Sequence, residues 1–241
     1  MADIGTEVSA SLDALTREFD IIAHNMANVS TAGFKRRCNS FTRALDAQSS
    51  TLDDQLEENA AAAFDFSQGG LVQTDRTLDF ALYGKGFFVM ESPEGPLYTR
   101  HGIFHTNQNG QIVDTEGRLV AGTSGPLIVP SSVDISQVQV GDDGQVRAAG
   151  ASIGQFRIVE FPDNEDQLLP AGLNCFLAPE GVEPVDALDA MVKQGYKEAS
   201  NVKLVDELVN MIMVSRLYEA NMKLVSATRE ATSSVMSVAM G

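Results

Sequence analysis

The chain has 241 residues, enough for one large domain or two small ones, and 44% of them are hydrophobic against 21% charged, a globular composition. Its 33 acidic and 17 basic residues give a formal net charge of −16, which argues against a nucleic-acid surface, because phosphate recognition begins with basic side chains. No apolar run reaches the roughly 20 residues needed to span a bilayer, the N-terminus lacks the basic and apolar regions of a cleavable secretory signal, and two cysteines, Cys38 and Cys175, make neither a disulfide framework nor a four-thiolate metal site.

From the N-terminus, Leu15, Phe19, Ile22, Met26 and Val29 recur at steps of four and three, a heptad stripe that Ile4, Val8 and Leu12 extend backward. The spacing predicts a helix that stops near Ser30-Thr31-Ala32-Gly33, where glycine can take the left-handed cap conformation. Residues 44–67, polar and then alanine-rich, read as a connector. Residues 68–177 carry short strand candidates, among them Leu78–Leu82, Gly86–Glu91, Arg118–Ala121 and Gln155–Phe161. Turn signals separate them at Asn109-Gly110, Glu116-Gly117, Ser124-Gly125-Pro126 and Asp143-Gly144, which predicts an antiparallel sandwich or barrel-like domain. A second connector, marked by Pro179 and Pro184, covers 178–194. The last segment, 195–241, repeats the heptad step at Leu204, Leu208, Met211, Ser215, Tyr218, Met222 and Val225. Val205, Val209 and Ile212 widen its apolar face, and Ser200 or Asn201 is the expected N-cap. The fold class is therefore α+β: heptad helices at both ends (1–43 and 195–241) forming a coiled coil, with a central antiparallel β-domain.

The charge follows the same division. Residues 1–43 hold five basic and five acidic side chains and 195–241 hold five of each, which leaves seven basic and 23 acidic residues for 44–194. Neutral ends can pack against copies of themselves without self-repulsion.

Apparent chemical sites do not hold together. Gly84-Lys85-Gly86 lacks the rest of a phosphate loop and reads as a hairpin turn. His101 and His105 have no third ligand and read as surface or turn histidines. Asp142-Asp143-Gly144 and Asp163-Asn164-Glu165-Asp166 do not fit a calcium loop. No serine or cysteine sits in a nucleophile elbow or beside a paired base. The sequence thus implies no enzyme, no catalytic residue, no cofactor, no metal, no nucleic acid and no small-molecule substrate. Outside the resemblance described next, a secreted β-domain module dimerising through its helices is the alternative, and a small acidic hydrolase is disfavoured by two neutral helical ends.

Three ordered blocks carry a resemblance. The first is Phe19 to Lys35 (FDIIAHNMANVSTAGFK), with Asn25 and Asn28 three apart before Thr31, Ala32, Gly33 and Phe34. The second runs from Gln68-Gly69-Gly70-Leu71 through Gly84-Lys85-Gly86-Phe87-Phe88 to Tyr98-Thr99-Arg100-His101-Gly102. The third is Gly195-Tyr196-Lys197-Glu198-Ala199-Ser200-Asn201, followed by Arg216-Leu217-Tyr218-Glu219-Ala220-Asn221. Together they resemble the bacterial flagellar rod and hook proteins; Ala32 stands where proline is common in that family. The length disfavours the longer hook proteins and is close to the distal-rod type, while the short separation of Arg43 from Gln68 and the stretch Gly125-Pro126-Leu127-Ile128-Val129-Pro130 are most similar to the proximal-rod type, with the distal-rod type as alternative. The resemblance implies a structural subunit of the periplasmic rod of the flagellar basal body, exported without a cleavable leader by the flagellar type III apparatus. It implies self-assembly, and assembly with other rod proteins, into a torque-transmitting shaft. Leu15, Phe19, Ile22, Met26, Val29, Leu208, Met211, Ile212, Tyr218, Met222 and Val225 would be the assembly residues. Asn25, Asn28, Gly33, Phe34, Asn201, Glu219 and Asn221 are the signature residues, and Phe41 with Leu45 fits the family's export motif.

Overall fold

The computed structural model describes residues 2–38, 63–162 and 164–240, except for the side chains of 2–8, 229 and 231–240 in the outer parts of the helices. The described residues fall into two compact units. A helical unit draws on 2–27, 37–38, 63 and 203–240, and a β-unit on 28–36, 64–162 and 164–202. The expected export residues Phe41 and Leu45 lie outside the described residues.

The helical unit contains α1 (Ala2–Ala27) and α2 (Leu204–Met240). Both boundaries differ from the expectation, for identifiable reasons. Helix α1 ends before Asn28, because a turn follows in which Thr31 N–H donates to Asn28 O (3.1 Å) and Thr31 Oγ1 to Asn28 Oδ1 (3.1 Å). Val29 therefore sits in the turn and not on the helix. Helix α2 starts at Leu204 and not at Ser200 or Asn201, because the Asn201 side chain is committed elsewhere and Ser200 Oγ only accepts from Val202 N–H (3.2 Å). The two helices run antiparallel. Ser11 meets Asn221 (3.2 Å), the Phe19 and Tyr218 rings stand edge-on with centroids 6.5 Å apart, and Asn25 meets Glu207 (3.4 Å).

In the β-unit all pairings between the strands described here are antiparallel. The main sheet runs in the order Leu169–Gly172, Cys175–Leu177, Gly95–Thr99, Phe87–Ser92, Leu119–Gly122, Ile112–Val113, His105–Thr106. Its central strand begins with four consecutive buried residues, Phe87-Phe88-Val89-Met90. Alternate side chains of a strand point to opposite faces, so an unbroken apolar run marks a sheet covered on both sides. Phe88 and Met90 enter one core cluster with Phe80, Phe104 and Phe156, while Phe87 and Val89 enter the other with Tyr98, Phe161 and Phe176. The turn glycines Gly110, Gly117, Gly125 and Gly144 all have positive φ, as the turn signals imply.

Several strand readings need correction. Leu169–Gly172, Cys175–Leu177, Met191–Gln194 within the expected connector and Tyr196–Glu198 within the expected helical end are strands that the sequence did not offer. Gly84-Lys85-Gly86 is not a hairpin turn. Phe80–Tyr83 pairs with Met191–Gln194, whereas Phe87–Ser92 pairs with Gly95–Thr99, so the segment is a bend between two sheets. The strand Gly95–Thr99 is absent from the strand candidates because Gly95-Pro96 opens it, yet it forms a hairpin with Phe87–Ser92.

Candidate functional site

The loop after α1 folds into the β-unit around one buried cluster of charge. The strand Tyr196–Glu198 pairs with Leu71–Gln73 and sets Glu198 opposite Leu71. Glu198 Oε1 accepts from Lys35 Nζ (2.7 Å) and from Gly69 N–H (3.0 Å), and both side chains of the ion pair have 0% exposure. Lys35 Nζ also donates to Ser67 O at 2.7 Å. On the other carboxylate oxygen, Arg100 Nη1 stands 3.6 Å from Glu198 Oε2. Arg100 Nη2 donates to Gly84 O (2.7 Å), and its guanidinium lies 5.6 Å from the Phe87 ring centroid. Burial pushes the Lys35 ammonium and the Arg100 guanidinium below their usual values, and Glu198 pulls both back up.

Gly33 closes this arrangement from the backbone. Its N–H donates to Glu198 O (2.8 Å), and its φ is +65°. A Cβ there would lie 2.5 Å from His101 N and 2.6 Å from Arg100 C. Gly33→Ala therefore meets both a left-handed backbone and a backbone wall. It is expected to cost roughly 2–3 kcal/mol, read by urea unfolding. A loss below about 0.5 kcal/mol would mean that the loop does not seat as described.

The two asparagines work as backbone clamps within their own units. In the helical unit Asn25, fully buried, accepts from Arg37 N–H (2.9 Å) and donates to Arg37 O (2.9 Å) and Glu207 Oε1 (3.4 Å). In the β-unit Asn201 Oδ1 accepts from Arg36 N–H (2.7 Å), and Nδ2 donates to Asp65 O (2.7 Å) and Ser67 O (3.2 Å). Asparagine suits both positions because a single side chain offers donor and acceptor together, to the one residue Arg37 for Asn25 and to two segments, at Arg36 and at Asp65 and Ser67, for Asn201. Phe34 is buried in the β-unit, and Asn174 Nδ2 reaches Ala32 O at 3.4 Å. Asn28 holds the turn with Thr31, and Asn221 meets Ser11 across the helix pair. Glu219 points outward on α2.

The expected assembly residues divide into two groups. On α1, Ile22 is buried and Leu15, Phe19 and Met26 are half-buried, so that stripe faces inward; Val29 is half-buried in the turn beyond the helix. On α2 the inward seam runs through Glu207, Met211, Val214, Asn221 and Val225, with Tyr218 at its edge against Phe19. Leu208, Ile212 and Met222 are exposed, as are Val205, Val209, Met213 and Leu217. The seam is thus turned relative to the stripe read from the sequence.

Among the described residues, Cys38 and Cys175 form no disulfide, and no group of three or more potential metal ligands gathers. His105 is exposed, but His101 is half-buried, and burial holds its imidazole below the usual value.

Residues 81–148 match the flagellar hook protein FlgE/F/G D1 domain family, and residues 193–238 match the flagellar basal body rod FlgEFG protein C-terminal family. The flagellar basal-body rod protein FlgF of Caulobacter vibrioides is 32% identical over 228 residues, covering 92% of this chain and 91% of that protein. The chain belongs to the flagellar basal-body rod protein family. FlgG of Buchnera aphidicola (subspecies Schizaphis graminum) is 33% identical over 245 residues, with 90% and 92% covered, and FlgG of Agrobacterium fabrum is 30% identical over 257 residues, with 94% and 95% covered.

Rod-family proteins are structural, and this one is not an enzyme. What the sequence reading of the family blocks missed is that they meet. Lys35 comes from the first block, Gly69 and Arg100 from the second and Glu198 from the third, and they share one buried ion cluster. The available signal was a charged residue inside each block; the separations between them gave no hint of contact.

Proposed function

We propose that this flagellar rod subunit belongs to the proximal rod, that it polymerises through its terminal helices as a coiled-coil wall, and that it transmits torque without catalysis. The observation that carries this reading is the exposed apolar surface of α2. Val205 is 71% exposed and Ile212 54%, with Leu208, Val209 and Met213 beside them. A helix that is apolar nearly all round is normally covered, and among the described residues of the helical unit only the seam toward α1 is. Neighbouring subunits of the rod would cover the rest. Inward residues of α1 hold the helix pair together, and outward residues of α2 make the polymer. The acidic centre of the chain is left to solvent and lateral contacts, in keeping with the division at 43/44 and 194/195. The chain has relatives named FlgF and FlgG alike, so the distal rod is the second reading. Electron microscopy of basal bodies from a strain lacking this chain separates the two. An inner ring without any rod supports the proximal position, a rod stub supports the distal one, and intact flagella contradict both.

Phe41 and Leu45 are proposed as the residues read by the type III export apparatus, which would carry the chain to the rod. Changing both to alanine is expected to reduce secretion at least about tenfold, the effect of losing roughly 1.4 kcal/mol of recognition. The melting temperature of the purified chain should not change. Equal secretion of variant and parent removes that role.

A further inference from the structure

The chain holds a single Asn-Gly pair, Asn109-Gly110, in the turn between the strands His105–Thr106 and Ile112–Val113. Such a pair is chemically labile in any polypeptide. The glycine nitrogen, unhindered by a neighbouring side chain, attacks the asparagine Cγ and expels the side-chain nitrogen as ammonia, which closes a succinimide ring. Water then opens the ring to aspartate or, with the chain rerouted through the side chain, to isoaspartate. In this turn the two reacting groups are in opposite states. Asn109 is exposed, and its side chain makes no hydrogen bond among the described residues. The nitrogen that must attack it is held: Gly110 N–H donates to Asn107 O (3.0 Å), while Gly110 O accepts from Val129 N–H (2.8 Å). Asn107 Oδ1 grips the turn from within, accepting from Asn109 N–H (2.9 Å) and Gln111 N–H (3.0 Å). Val129 O stands where a Cβ on Gly110 would be, so this stretch of backbone is walled in as well as bonded. Ring closure needs the Gly110 nitrogen to lose its proton and swing toward Cγ, which breaks these bonds. We propose that Asn109-Gly110 is a self-modification site gated by folding: the turn protects it in the folded chain, whereas a chain held unfolded converts Asn109 to isoaspartate and can then no longer close this hairpin.

The damage follows from the position of the turn. Isoaspartate lengthens the backbone by a methylene, so Gly110 cannot meet Asn107 O and Val129 N–H together. The strand beyond the turn belongs to the core: Ile112 N–H donates to Leu127 O (3.0 Å), and Ile112, with 0% exposure, packs in one cluster with Phe80, Phe88, Phe104 and Val129. The related pair Asp143-Gly144 is protected at both reacting groups. Gly144 N–H donates to Gly141 O (2.9 Å), and Asp143 Oδ1 accepts from Gln145 N–H (3.0 Å). A carboxylate is also a poorer electrophile than an amide, which leaves Asn109 as the reactive position.

The test incubates the full chain in heavy-oxygen water, folded in buffer or unfolded in guanidinium chloride, at the same pH and temperature. Mass spectrometry of the tryptic fragment 101–118 reads the oxygen gained at Asn109, and methylation by an isoaspartate-specific methyltransferase reads the isomer. Conversion in the folded chain is expected to be at least about tenfold slower than in the unfolded one, the effect of the hydrogen bonds that must open first. Asn107→Ala removes the side chain that grips the turn, and should raise the folded-state rate by about threefold or more. If Asn107→Ala does not fold, the comparison of folded and unfolded parent decides alone. On dilution from denaturant, chains bearing isoaspartate are expected to stay protease-sensitive, while unmodified chains refold. Asn109→Asp, which gains the charge without the methylene, should refold as the parent does. Equal rates in buffer and denaturant, an unchanged rate in a folded Asn107→Ala chain, isoaspartate chains that refold to the parent's stability, or an Asn109→Asp chain that fails to refold would each overturn the proposal.

Discussion

Glu198→Gln is expected to lower the unfolding free energy of the β-unit by roughly 3–5 kcal/mol, the cost of leaving buried charge without its partner. The substitution keeps the shape of the side chain and an acceptor for Lys35 Nζ and Gly69 N–H, so the loss is electrostatic. Lys35 and Arg100, 0% and 2% exposed at their side chains, would then face one another with no carboxylate between them. Lys35→Met should cost less, about 1–3 kcal/mol, because Glu198 then balances Arg100, and Glu198 Oε1 and Ser67 O each lose one donor while keeping another, from Gly69 N–H and Asn201 Nδ2. In the double variant the two effects should fall short of their sum by at least about 1 kcal/mol. Urea unfolding followed by circular dichroism measures all three. A Glu198→Gln variant within about 0.5 kcal/mol of the parent would show that the cluster does not hold the blocks together.

The legible parts of the sequence were those in which one local rule sufficed. The stripe on α1 was readable because polar residues such as Asp13, Arg17 and Asp20 separate its apolar positions. The sheet turns were readable because X-Gly pairs need a positive φ. On α2 the same method gave the helix but not its phase. Leu204, Val205, Leu208, Val209, Ile212 and Met213 spread over about half the helix circumference, so several heptad stripes fit equally well and packing against α1 chose one of them. The cluster of Lys35, Arg100 and Glu198 was not legible at all. Charged residues are read as surface by default, and Lys35 and Glu198 stand 163 positions apart. Asn201 was misread for a related reason. Its preference for helix starts is a local property, and the backbone of Arg36 and Asp65 claimed its side chain instead.

The larger of the assembly effects is expected from Val209→Asp combined with Ile212→Asp. Both side chains are exposed on the outward face of α2, so the isolated chain should unfold within about 0.5 kcal/mol of the parent. In a polymer each would have to enter an apolar interface as a charge. The lost burial alone is about 1.5–3 kcal/mol per side chain, which together is a hundredfold or more in the association constant. The corresponding change on the inward seam, Val214→Asp, should act differently, destabilising the helix pair itself, because Val214 is buried in the single chain. The contrast between the two faces separates assembly from folding.

The most direct measurement is made on basal bodies purified from cells producing the Val209→Asp, Ile212→Asp chain in place of the parent. Immunoblotting is used for the chain and electron microscopy for the rod. Polymerisation through the outward face of α2 predicts that the variant is secreted and folded but absent from the particles, which carry a missing or truncated rod. Rods of normal length containing the variant chain in parental amount would contradict it.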